Sequence, residues 1–248
     1  MRIALVTDIH GNLLALESVN ADLRRRGVEH VVNLGDSLSG PLMPLETAQF
    51  LMAEGWISLA GNHERQLLVN NPASRGAADE FARSRLTLKE IEWLKSLPQT
   101  ATLEPSVLLC HGTPSSDVTY FLETVENESV RPASSAEVDA RMGSTTASLI
   151  ACGHTHIPRT VRATSGQVIV NPGSVGLQAY SDIHPHAHLM QTGSPDARYA
   201  IVEHLRNQWS VSLHAVPYDY KAMAALAKSN GSLRWEHALL TGYCLPEV

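Results

Sequence analysis

Short apolar runs that end in Gly, Asp, Asn or His recur along the first two-thirds of this chain. Ile3 to Val6 is a continuous apolar run, the pattern of a strand buried on both faces. It ends in Thr7-Asp8-Ile9-His10-Gly11-Asn12. Asn12 is a good N-cap, and Leu13, Leu14, Leu16, Val19 and Leu23 follow at helical spacing. Arg24-Arg25-Arg26-Gly27 closes that helix, with cations at its negative end and Gly as the stop. We read the three arginines as a solvated last turn rather than a binding patch.

His30 to Leu34 is the next strand and ends in Gly35-Asp36, so the chain opens strand, helix, strand, as a βαβ crossover does. Pro44 to Glu54 reads as a helix. Trp56 to Ala60 reads as a strand ending in Gly61-Asn62-His63-Glu64, and Arg65 to Val69 as helix again. Ala77 to Leu97 is mostly helical and divides near Thr87, which with Glu90 has capping-box spacing. Val107 to Cys110 is a buried strand ending in His111-Gly112. Ser115 to Pro132 lacks periodicity and reads as loop, with room for one helical turn.

Ser134 to Met142 is a short helix. A strand from Ser148 to Cys152 then leads into Gly153-His154-Thr155-His156. Thr160 to Ala163 and Gln167 to Val170 read as antiparallel strands, followed by the sharp turn Asn171-Pro172-Gly173-Ser174-Val175-Gly176. Tyr180 to Pro195 is polar and His-rich and reads as loop. Tyr199 to Val202 and Trp209 to Val216 are further strands, and helices follow Tyr218. No linker, repeat or low-complexity tract interrupts the pattern, so residues 1–248 read as one domain.

Composition narrows the function. Hydrophobic residues make up 44%, enough for a real core, and no apolar run approaches bilayer-spanning length. An Asp arrives at position 8, too soon for a secretory signal, so the expectation is a soluble cytoplasmic protein without a membrane partner. A net charge of −6 argues against a nucleic-acid surface. Cys110, Cys152 and Cys244 lack metal-type spacing and read as buried thiols.

The chemistry lies in what ends the strands. Asp8 with His10, Asp36, Asn62, His111, and His154 with His156 stand at the ends of five apolar runs. Sites in α/β sheets gather at the carboxyl ends of strands. On an extended segment, His154 and His156 would point the same way and form a two-His donor. Taken singly, Asp8 could cap a helix, Asn62 could make a turn and His111 could be a core histidine. Their joint occurrence beside Gly points to metal. Seven N/O donors without a thiolate suit Mn, Fe or Zn. Seven exceed what one ion needs, so two ions are expected, with Asp36 as a possible bridge. Such a pair clamps a phosphoryl group and lowers the pKa of a shared water toward ~7, giving a hydroxide nucleophile. Adjacent residues diverge, so His63 would be free of the metal that Asn62 holds and able to protonate a leaving oxygen.

Asp8-x-His10, Gly35-Asp36, Gly61-Asn62-His63-Glu64, His111-Gly112 and Gly153-His154-x-His156 resemble, in order, the motifs of the calcineurin-like metallophosphoesterases. Asn171 to Gly176 is similar to the small bacterial and archaeal branch of that family. The match covers roughly residues 3–176. The resemblance implies an α/β (α+β) fold, a four-layer αββα sandwich with two mixed β-sheets. It implies two divalent or mixed-valence metal ions (Mn, Fe, Zn). One would take Asp8, His10, Asp36 and His156, and the other Asp36, Asn62, His111 and His154. It makes His63 the general acid of a dinuclear phosphoesterase that acts by metal-bound hydroxide on small phosphodiesters, nucleotides or phosphomonoesters.

Two departures bear on substrate. Phosphoprotein phosphatases of the family carry an Arg soon after the Gly-Asp, whereas Gly35-Asp36-Ser37-Leu38-Ser39-Gly40-Pro41 has none. The acid that orients the catalytic His in those enzymes is replaced by Ser39. Both weigh against the alternative reading as a phosphoprotein Ser/Thr phosphatase. A second alternative, a non-catalytic scaffold of the same fold as in the related retromer subunit, is disfavoured by His63 and the full donor set. The segment from Leu177 to Asp196 brings Asp182, His184, His186 and His188 and reads as a solvated loop ahead of a substrate-lining or oligomer loop, with a third metal site as the further option.

Overall fold

A computed structural model describes residues 1–28, 30–103, 106–127 and 129–246. β1 (Arg2–Val6) is followed by α1 (Leu13–Arg25), β2 (His30–Asn33), α2 (Pro44–Glu54), β3 (Ile57–Ser58) and α3 (Asn62–Leu67). A 3₁₀ turn at Pro72–Ser74 precedes α4 (Ala77–Arg83) and α5 (Leu88–Ser96). Next come β4 (Thr100–Leu103), β5 (Val107–Cys110), β6 (Glu123–Glu126), β7 (Ser129–Pro132), α6 (Ser135–Met142) and β8 (Leu149–Ala151). The chain continues through β9 (Arg159–Arg162), β10 (Val168–Asn171), β11 (Ala179–Asp182), β12 (His188–Gln191), β13 (Ala197–Leu205) and β14 (Gln208–Val216). It ends in α7 (Tyr220–Ser229) and α8 (Leu233–Thr241).

Local chemistry sets the element ends. The Asn12 side chain accepts from Ala15 N and starts α1. Thr87 and Glu90 form the expected capping box of α5. Gly55 in the left-handed region stops α2.

Two five-stranded sheets run β14-β13-β1-β2-β3 and β4-β5-β8-β10-β9. Both are mixed: β1 is parallel to β2 and antiparallel to β13, while β8 is parallel to β5 and β10, which pairs antiparallel with β9. Period-2 alternation assigns the faces. Ile3 and Leu5 meet Leu109, Leu149 and Val170 in the core between the sheets. Ala4 and Val6 turn the other way, onto Leu16, Val19 and Leu51 of α1 and α2. On the far side, Cys110, Ile150 and Ile169 pack on Val138 and Met142 of α6. This is the four-layer order helix, sheet, sheet, helix. No helix among the described residues is long and apolar enough to cross a membrane.

Three expectations are corrected. Ser115 to Pro132 contains the antiparallel hairpin β6–β7 rather than a helical turn. Tyr180 to Pro195 contains the hairpin β11–β12 rather than loop alone. The strand expected over Trp56 to Ala60 is only Ile57–Ser58, because the chain leaves the sheet to start α3 at Asn62. β4 on the edge of the second sheet has no counterpart in the sequence reading.

Candidate metal centre

All seven donor residues converge at one end of the two sheets. Asp8 and His10 follow β1, Asp36 follows β2, Asn62 opens α3, His111 follows β5, and His154 and His156 follow β8. Five of them take left-handed backbone: φ is 54° at Asp8, 53° at His10, 55° at Asp36, 68° at His154 and 61° at His156. Side chains other than Gly rarely adopt this region, and such residues cluster where a site demands them.

The turns are held by their neighbours. Ser174 Oγ and Gly176 N both donate to the Asp8 carbonyl, at 2.7 and 3.0 Å. Asn171 Nδ2 donates to Gly153 O over 2.7 Å. The Asn171–Gly176 turn therefore braces both the Asp8 loop and the two-His loop. The buried Glu64 carboxylate accepts the N–H groups of Asp36, Ser37 and Gly61, each at 2.8 Å. That ties the Asp36 loop to the start of α3. Gly61 lies so close to Asp36 that a Cβ there would collide with the carboxylate.

The donors fall into two groups. Asp8, His10 and His156 form one, and Asp36, His111 and His154 the other, the donor atoms of each lying within 4.8 Å of one another. His154 and His156 thus belong to different groups. The expectation that they point the same way as a two-His donor fails because the strand ends at Ala151 and both residues are left-handed. Asn62 Oδ1 lies 3.2 Å from His111 Nε2 and so belongs with the second group.

Main-chain carbonyls fix the imidazole tautomers. Nδ1–H donates to Ser39 O in His10, to Leu34 O in His111 and to Leu177 O in His156, at 2.8, 2.9 and 2.6 Å. His154 is reversed, donating from Nε2 to Val118 O over 3.2 Å. In neutral rings the remaining nitrogens are bare lone pairs. His10 Nε2 and His156 Nε2 then face each other at 3.1 Å with no proton between them, and Asp8 Oδ1 is buried without a hydrogen bond, 3.5 Å from His156 Nε2. His111 Nε2 faces Asp36 Oδ2 at 3.0 Å. In the first group acceptors converge on acceptors and need a cation, and the N/O donor set of each group fits one.

Electrostatics hold His10 and His154 neutral, whereas without an ion His111 keeps a proton that points at Asp36 and that a cation would replace. Burial, reinforced by His156 and His63, drives the His10 imidazole down to about 3. Burial and His111 drive His154 down to about 4. Burial also opposes charge on His111, but Asp36 and Asp8 outweigh it and push that ring up to about 10. Burial likewise opposes charge on Asp36, yet His111, His63 and His10 hold its carboxyl well below the usual range.

His63 stands on the rim, its ring centroid 5.4 Å from that of His10. Its backbone N–H donates to Asp36 Oδ1 over 2.9 Å. Its Nδ1–H donates to Asp79 Oδ1 over 2.7 Å, which leaves Nε2 for the cavity. Burial opposes the charged ring, but Asp36 and Asp79 prevail and raise it to about 9.

The cavity over these groups measures about 810 Å³. A model of the calcineurin-like phosphoesterase superfamily domain matches residues 1–194. The chain belongs to that superfamily. It is 26% identical over 189 residues to an uncharacterized protein of Methanocaldococcus jannaschii, covering 71% of this chain and 70% of that one. The crystal structure of a metallophosphoesterase from Sphaerobacter thermophilus superposes with a TM-score of 0.76 at 26% identity, covering 98% of this chain and 99% of that chain. A hypothetical protein of Pyrococcus horikoshii shares the fold, with a TM-score of 0.74 at 16% identity over 100% of this chain and 99% of that one.

As calcineurin-like phosphoesterases are metal-dependent, the two donor groups are this chain's candidate metal sites. Four residues at the site escaped the sequence reading. Asp79 comes from α4 to His63, in place of the acid that Ser39 replaces, and no motif marks it. Glu64 was visible only as the end of a motif, without its bracing role. Tyr120 and Tyr180 back the donor histidines: Tyr180 packs on His156 at 4.6 Å between centroids and Tyr120 on His154 at 5.1 Å.

The His-rich segment is also placed. His184 lines the cavity, while His188 is buried with Nε2 2.9 Å from Tyr120 Oη. Among the described residues, groups of three or more donors that could share an ion occur only at the two places above, so the hairpin forms no third one.

Proposed function

We propose that this chain is a dinuclear metal-dependent phosphoesterase that hydrolyses small phosphodiesters, nucleotides or phosphomonoesters, with His63 as the general acid. The observation that carries the reading is the 3.1 Å approach of His10 Nε2 to His156 Nε2 beside Asp8 Oδ1, which is buried without a hydrogen bond. Asp8, His10 and His156 would hold one ion, and Asn62, His111 and His154 the other. Asp36, whose charge is felt by His10 as well as His111, would be shared. Two such ions supply an acidified water as nucleophile and neutralise phosphoryl charge.

The chain's own residues do the rest. Carbonyls of Ser39, Leu34, Val118 and Leu177 keep the imidazoles aimed inward. Glu64 holds the Asp36 and Asn62 loops in register. Asp79 accepts a hydrogen bond from the Nδ1–H of His63 and so directs Nε2–H at the departing oxygen, which the ring protonates as the P–O bond breaks.

The His63–Asp79 pair also supports an enzyme over a scaffold of the same fold. Against a phosphoprotein phosphatase, Arg141 is the only Lys or Arg among the described residues lining the cavity. Its guanidinium is committed to Phe121 O, Glu123 O and Thr124 Oγ1. A cytoplasmic location, with no membrane or nucleic-acid partner, completes the reading. The test is a panel of phosphodiesters, nucleotides, monoesters and a phosphopeptide, offered to protein reconstituted with Mn, Fe/Zn or Mg. Turnover of the small esters is expected, and turnover of the phosphopeptide alone would overturn the substrate class.

A further inference from the structure

The cavity has a wall that comes from outside the superfamily match, which ends at residue 194. Trp235 of α8 lines the cavity, and its ring meets His10 edge-on with centroids 5.9 Å apart. His63 meets the same His10 at 5.4 Å. His63 and Trp235 thus flank one histidine, and Leu177 joins Trp235 in the lining.

The half-buried indole packs against two clusters of buried residues, one containing Leu42, Met223 and Leu239 and the other Leu177, Ala179 and Ala238. Asn230 Nδ2 donates to Pro41 O over 2.9 Å, tying the turn before α8 to the loop that follows Asp36. Gly40 in that loop makes room for the ring. A Cβ there would lie 2.7 Å from Trp235 Cη2 and 2.6 Å from His10 O, and its φ of 153° also favours Gly. Loop and helix therefore fit each other around the indole, which presents a preorganised aromatic surface beside the acid.

We propose that Trp235 is the specificity-determining residue of a leaving-group subsite, and that it selects phosphoesters whose departing alcohol carries an aromatic ring. The inference rests on the phosphoesterase reading, because it takes His63 to mark the side from which the alcohol departs. A ring attached to that alcohol would lie along the wall that Trp235 continues. Stacking of this kind is worth about tenfold or more in affinity.

The test uses two ester pairs, each with closely similar leaving-group acidity within the pair. Adenosine 5′-phosphate is compared with ribose 5-phosphate, and phenyl phosphate with hexafluoroisopropyl phosphate. The readout is the ratio of kcat/KM within each pair, in which the active fraction of the preparation cancels. In Trp235→Ala the ratio should fall about tenfold for at least one pair, mainly through KM, and Trp235→Phe should restore most of it. The pair that responds tells whether the ring is a nucleobase or a simple aryl group. Unchanged ratios in both pairs, or Phe behaving as Ala, would overturn the proposal.

Binding separates this from failure of the phosphoesterase reading. Calorimetry compares phenylphosphonate with isopropylphosphonate on the protein as isolated and after manganese loading. If no ester is turned over but Trp235→Ala weakens only phenylphosphonate, the subsite stands and the activity does not. Equal weakening of both phosphonates, or none, sinks the subsite.

Discussion

His63 Nδ1 and Asp79 Oδ1 lie 2.7 Å apart although the two residues are 16 positions apart in the chain. The carboxylate comes from α4 and is almost fully buried, whereas His63 reaches the cavity. One side chain therefore fixes the tautomer of a ring that the donor residues leave free.

Removing that carboxylate should move a pH profile. His63 must be protonated to act as an acid, and burial is outweighed by Asp36 and Asp79 to raise it to about 9. Activity should be full below that value and fall as pH rises through it, with bound cations moving the limb lower. Asp79→Asn takes away a raising charge, so the basic limb of kcat should shift down by about 1–3 units. A pH–rate profile for the variant that superposes on wild type would remove Asp79 from the mechanism.

The acid role itself predicts a dependence on the leaving group. General acids contribute about 10²–10⁴-fold when the departing oxygen needs a proton. His63→Ala should lose that much on an alkyl or nucleoside ester and much less on an activated nitrophenyl ester. Metal content should stay near wild type. Equal slowing of the two, with chemistry rate-limiting, would reassign His63 to electrostatic support of the phosphoryl oxygens.

Asp36→Asn should lose at least one ion and nearly all turnover. Asn tolerates the left-handed φ of 55° and can still accept the His63 N–H, so the loop survives while the charge goes. Elemental analysis finding full metal and a normal rate in this variant would contradict the shared role.

The His184, His186 and His188 segment should be dispensable for metal. His184 lines the cavity and His188 contacts Tyr120, but none of the three joins a donor group. Replacing all three with Ala should change KM and substrate preference while leaving both ions bound. Metal loss with collapse of kcat would show the donor set to be incomplete.

Much of the fold was legible because its signals are local. Ile3–Val6 and Val107–Cys110 are apolar runs that a doubly covered strand requires, and Asn12 and Thr87 cap as their side chains dictate. β12 was not legible because its polarity is inverted: His188 is buried against Tyr120 while Leu189 is 51% exposed. β6 hides for a related reason, since Glu123 is buried by pairing with Arg159 at 2.7 Å. At the site, the types and order of the donors could be read, but their backbone could not. Strand alternation sent His154 and His156 to one side, whereas left-handed turns send them to different groups. Asp79 reaches His63, and Trp235 reaches the cavity, through tertiary packing alone.

The most direct measurement titrates manganese into chelator-stripped protein while following ions bound per chain and hydrolysis of a small phosphodiester. Two ions per chain should bind, and turnover should appear with the second and plateau there. Full turnover in the stripped protein, or two bound ions with no phosphoester hydrolysed, would contradict the account.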